Sequence, residues 1–125
     1  MPGPVVAGIL AVASAEDVLR HGFAAADDRG VRLHVLVAAP AATAGPVAEL
    51  RDLIERWTEK YPGVPVMVSI RAGLDAAIVL AAAARGSGLL VVAEPRDARE
   101  SAVVQALTRR TRGSLVVAPA ALVPL

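Results

Sequence analysis

Five apolar, β-branched-rich segments alternate with longer amphipathic stretches, and this alternation constrains the fold more than any other feature of the sequence. The apolar segments run from Pro4 to about Leu10, Val31 to Ala38, Val64 to Ile70, Leu89 to Ala93 and Ser114 to Ala118. The first, the fourth and much of the second are continuous apolar runs rather than in–out alternations, the pattern of parallel strands covered on both faces. The order βαβαβαβαβ implies right-handed crossovers and a parallel sheet sandwiched by helices. At 125 residues the chain has the length of one α/β domain spanning 1–125.

The intervening stretches carry helix signals. Ser14-Ala15-Glu16-Asp17 fits a capping box with Ser14 as N-cap. Val18, Leu19, Phe23 and Ala26 follow as an apolar stripe, and Gly30 stands where a C-terminal glycine cap belongs. The second helix is expected to open at Gly45-Pro46, to bury Val47, Leu50, Ile54 and Trp57 on one face and to stop at Pro62-Gly63. Asp52 and Arg56 form an i,i+4 pair on its wet side. The third runs from about Asp75 to Arg85, before Gly86-Ser87-Gly88. The fourth opens on a second capping pattern, Asp97-Ala98-Arg99-Glu100, turns Val103 and Leu107 inward, and ends among Arg109, Arg110 and Arg112.

Composition removes several classes of function. The chain has no cysteine, so it has no disulfide, thiolate metal site or cysteine nucleophile. A net charge of +1 and a single Trp, Tyr and Phe offer nucleic acid neither attraction nor stacking surface. No apolar run reaches the 18 or so residues that span a membrane. Met1-Pro2-Gly3-Pro4 lacks the basic start of a signal peptide. The expectation is a cytoplasmic protein with no nucleic-acid or membrane partner.

Three stretches resemble the universal stress protein domain in order and spacing over nearly the whole chain. Val5-Val6-Ala7-Gly8-Ile9 resembles its opening strand, and Arg29 to Leu36 the end of its first helix and its second strand. Gly88-Leu89-Leu90-Val91-Val92, with Gln105-Ala106-Leu107 and Leu115-Val116-Val117, resembles its fourth strand, fourth helix and last strand. The resemblance implies an open, Rossmann-like five-stranded parallel sheet of order 3-2-1-4-5 with helices on both faces, and commonly a dimer. Many members of that family bind ATP through an aspartate after the first strand and a loop of pattern G-x-x-G-x9-G-S/T after the fourth, whose glycines let backbone N–H groups approach phosphate.

This chain departs from the family at both places. Where the family has Val-Asp-Gly-Ser, the sequence is Ile9-Leu10-Ala11-Val12, with Leu10 at the aspartate position. No glycine lies between Gly88 and Gly113, and only ten residues, Ala93 to Ala102, separate Val92 from Val103. The loop is shortened as well as substituted. Ala93 to Glu100 carries three acids and two arginines, and Asp97 and Glu100 stand at the helix N-terminus that would otherwise face phosphate. No ATP and no other cofactor is expected.

Other constellations are ordinary. His21 and His34, the two histidines, have no nucleophile and orienting acid spaced to serve them. No metal-ligand spacing occurs, and Asp27-Asp28 reads as a solvated helix end. Receiver domains place acids directly after strands one and three, where this chain has Leu10-Ala11 and Ile70-Arg71. No catalytic set can be assembled, so the chain is not expected to be an enzyme.

The leading reading is a dimeric regulatory or interaction module of universal-stress type that does not bind ATP, with a further protein partner left open. The rival is a sensor of a small non-nucleotide ligand, held where the strand order reverses, beyond the carboxyl ends of strands one and four. Leu10, Ala11, Val37, Ala38, Ala93 and Glu94 would line that crevice. The last strand, Ser-Leu-Val-Val-Ala, is an uncharged edge, and an apolar tail follows it. Leu115, Val116, Val117, Leu122 and Val123 are therefore the expected homodimer interface.

Overall fold

In the computed structural model, residues 3–38, 47–71, 73, 75–111 and 114–119 are described. Their strands are β1 (Val5–Ile9), β2 (Leu33–Ala38), β3 (Val66–Arg71), β4 (Leu89–Ala93) and β5 (Ser114–Ala118). Their helices are α1 (Ala15–Arg29), α2 (Val47–Lys60), α3 (Ala76–Ala84) and α4 (Ala98–Arg110). The strands form one sheet of order β3-β2-β1-β4-β5, every neighbouring pair parallel. This is the α/β architecture and strand order expected.

The continuous apolar runs sit where both faces are covered. Every residue of β1 is buried, as are all but one of β2 and of β4. Val5, Ala7 and Ile9 point to a core built with α1 and α2, around Leu19, Phe23, Ile54 and Trp57. Val6 points to the opposite core, formed with α3 and α4 around Leu80, Leu90, Val92 and Leu107. Gly8 lies between β1 and α3: a Cβ there would stand 2.8 Å from Leu80 Cδ2 and 3.3 Å from Val92 Cγ1. A side chain there would make the end of the Leu80 side chain of α3 shift and Val92 give slightly.

Helix ends explain where strands begin. Gly30 adopts φ 66°, a left-handed C-cap, and donates to Ala26 and Asp27 carbonyls. Val31 N–H also returns to Ala26 O (3.0 Å). Val31 thus finishes α1, and β2 begins at Leu33 rather than at Val31. Val64 likewise belongs to a turn, donating to Tyr61 O (3.1 Å), so β3 starts at Val66 and extends to Arg71.

Two local expectations fail. Ser14 makes no side-chain cap. The chain enters α1 through a 3-10 turn, Val12–Ser14, and the Ser14 hydroxyl donates back to Ala11 O (3.3 Å). Among the described residues Asp52 and Arg56 form no ion pair, whereas Arg20 and Asp17 do (3.1 Å). Asp52 and Arg56 are both exposed on α2, where a solvated pair gains little from closing. The proposed opening of α2 at Gly45-Pro46 lies outside the described residues, as does Arg112 beyond α4.

Candidate functional site

β1 is flanked by β2 on one side and β4 on the other, so the strand order reverses beside it. The crevice beyond the carboxyl ends of β1 and β4 is where open α/β sheets place ligands. Leu10, the residue after β1, is 6 % exposed and packs into the α3/α4 core with Leu36, Ala38 and Val92. Val37 is buried in the opposite core. Ala11 and Ala93 are half-buried. Glu94 is exposed, and its backbone N–H prolongs the β4–β5 ladder by donating to Ala118 O (2.9 Å). The floor of the crevice is therefore packed aliphatic side chain.

Only residues 94–97 connect β4 to α4. Within this turn Asp97 is extended (φ −146°, ψ 176°), and its Oδ1 accepts the Glu100 N–H at 2.8 Å. The α4 N-terminus is thus occupied by the chain's own carboxylate. Glu100 is itself buried in the first turn. Across the crevice, the first turn of α1 carries Glu16 and Asp17. An anion entering here would meet acids at both helix N-termini. Arg96 reaches over the mouth, Nη2 donating to Ala13 O (3.3 Å) in the 3-10 turn after β1. That contact joins residues 83 apart in sequence, and nothing in the sequence pattern announces it.

The Asp97 cap is directly testable. Replacing an N-cap aspartate with alanine costs about 0.5–2 kcal/mol. Asp97→Ala is expected to lower the melting temperature by that equivalent in a thermal melt; an unchanged melt would place the cap elsewhere.

The histidines lie apart from this crevice. His21 Nδ1 is 3.0 Å from Asp17 O within α1, and His34 Nε2 is 2.9 Å from Ser69 Oγ across β2 and β3. Burial, and secondarily the charge of Arg71, hold the His34 imidazole below its usual pKa. Among the described residues no group of three or more His, Asp or Glu side chains is placed to hold a metal ion. No helix among them is long and apolar enough to cross a membrane. Of the expected interface residues, Leu115 packs partly against the α3/α4 core, whereas Val116 and Val117 are 37 % and 41 % exposed on β5. Leu122 and Val123 lie outside the described residues.

No family model matches the sequence, and no curated protein matches it significantly. The three-dimensional arrangement does match solved structures, and the fold is that of universal stress proteins. A crystal structure of a universal stress protein in complex with cAMP superposes with a TM-score of 0.68 over 97 % of this chain and 100 % of that one, at 14 % identity. A protein of the universal stress protein family from Burkholderia pseudomallei gives a TM-score of 0.62 over 94 % of this chain and 96 % of its own, at 21 % identity.

Proposed function

We propose that this chain is a universal-stress-type regulatory module of the cytoplasm that has given up nucleotide binding, has no enzymatic activity and acts as a homodimer. The observation that carries this reading is the β4–α4 turn. Where a phosphate loop would need free backbone N–H groups, Asp97 caps the helix and Arg96 ties the turn to Ala13. Leu10, packed in the core, offers a ribose no hydrogen bond. A structural neighbour holds cAMP; here a nucleotide phosphate would have to displace an aspartate from a helix N-terminus. The same Arg96 bridge weighs against the alternative of a small-ligand sensor in this crevice.

The expected result is a flat isothermal titration with Mg-ATP, and with cAMP, up to about 1 mM, a limit corresponding to roughly −4 kcal/mol. Leu10→Asp alone is expected to leave it flat, because the phosphate loop would still be absent. A low-micromolar dissociation constant for either nucleotide overturns the reading. Rescue by Leu10→Asp would show that the shortened turn can still receive phosphate.

A further inference from the structure

On the α3/α4 face of the sheet, α3 packs over β1 and β2 and leaves the edge strand β3 uncovered, with Met67 50 % exposed. The step between helix and strand is a cavity of about 440 Å³, within the range of small-molecule sites. Ile78, Val79 and Ala82 of α3 form its wall, and His34, Leu36 and Arg71 line its floor. Met67, Ser69 and Arg71 alternate along β3 and so share one face. The parallel register sets Met67 beside His34 and Ser69 beside Leu36.

The floor and the wall have different chemistry. His34 and Ser69 are already oriented by their mutual hydrogen bond. Arg71 is exposed, and among the described residues no carboxylate pairs with it. The nearest acid along the chain after it, Asp75, uses its Oδ1 to cap α3, accepting from Ile78 N (3.2 Å). One cation and an imidazole, the latter held by the Ser69 hydroxyl beside it, thus lie at the foot of an aliphatic wall. A guanidinium is a planar fork that matches a carboxylate with two parallel hydrogen bonds. The wall provides a dry track for a short apolar tail.

We propose that this groove binds small amphiphilic monocarboxylates, head on Arg71 with His34 and Ser69, tail along Ile78, Val79 and Ala82. The site is separate from the β1/β4 crevice and does not depend on whether that crevice is closed. It also makes binding proton-linked. Arg71 is the charged group acting on His34 from β3, α3 presents aliphatic side chains to the groove, and Val6 of β1 lies on the other side of His34. Burial first, and the Arg71 charge second, disfavour the imidazolium; a carboxylate placed among these groups offsets the Arg71 charge and pairs with the protonated ring, so affinity rises as pH falls through the histidine range.

Octanoate is a suitable probe, with acetate supplying the head alone and 1-octanol the tail alone. In a two-dimensional amide NMR titration of the whole chain, octanoate is expected to give saturable shifts at Ser69, Arg71 and Ala82 with a dissociation constant below about 1 mM. Acetate and octanol should bind at least tenfold more weakly. Arg71→Gln should weaken octanoate binding at least tenfold, and Ala82→Glu, at an exposed helix position, should abolish it while leaving the remaining spectrum unchanged. His34→Gln should remove the rise in affinity between about pH 7.5 and 5.5. The proposal is overturned if octanoate gives no saturable shift, if Arg71→Gln binds as wild type, if octanol binds as well as octanoate, or if the shifts fall on the β1/β4 crevice instead.

Discussion

Phe23→Ala is expected to cost about 3–5 kcal/mol of folding stability. Phe23 is fully buried at the centre of the α1/α2 core. Its ring stacks on Tyr61 at 5.7 Å between centroids and on Trp57 at 6.3 Å, and Trp57 and Tyr61 stack on each other at 6.3 Å. These are the chain's single Phe, Trp and Tyr, gathered at one junction of α1 and α2. Removing the central ring leaves a void lined by two rigid partners that cannot collapse into it, which puts the loss toward the upper end of the range. For a domain of this size the melting temperature should fall on the order of 10–20 °C. Phe23→Leu, which keeps most of the volume, should lose markedly less. The measurement is paired thermal and urea unfolding of wild type and both variants. A loss under about 1 kcal/mol for the alanine variant would show that α2 is not seated on α1 through these rings.

The parts of this fold legible in the sequence are those written locally or by burial. β1, β2 and β4 are legible because a strand covered on both faces needs apolar side chains on both, and only His34 of β2 breaks the run. The Asp97 cap was legible because donor and acceptor lie three residues apart. Ser14 has the same local pattern and fails, because the backbone arriving from β1 already turns through a 3-10 segment and engages the hydroxyl behind it. What local pattern cannot show is a contact made by topology. Arg96 finds Ala13 only because β1 and β4 are neighbours in the sheet. His34, Arg71 and Ile78 share a groove only because β2 pairs with β3 and α3 stops short of the edge. His34 in isolation was an unremarkable strand histidine; its meaning comes from the register that sets Ser69 within reach.

The second large effect is expected at β5. The sheet order makes β5 an outer strand, with one side of its backbone unpaired by any neighbour in the sheet. Its Val116 and Val117 are both substantially exposed, and Ser114–Ala118 carries no charge or proline to discourage pairing. The opposite edge, β3, has exposed Met67 and Val68 too, but its carboxyl half carries Ser69 and Arg71, which favour water or a small anion over another strand. Two β5 edges brought together by a two-fold axis run antiparallel, satisfy each other's backbone groups and close at two copies rather than propagating. The expected mass in light scattering after size exclusion is therefore near twice 12.8 kDa. Val116→Lys and Val117→Lys each place a cation on this edge, and the two-fold axis brings the two copies' lysines to the same short interface. Like charges there repel while their stems lose the apolar contact the valines made. Either variant should shift the protein toward a folded 12.8 kDa monomer, with an unchanged far-ultraviolet circular dichroism spectrum separating dissociation from unfolding. A wild-type mass of 12.8 kDa at high micromolar concentration would sink the pairing. A dimer that survives both lysines but is split by Val68→Lys would move the interface to β3, and the groove beside that strand would then be expected to change its octanoate affinity with protein concentration.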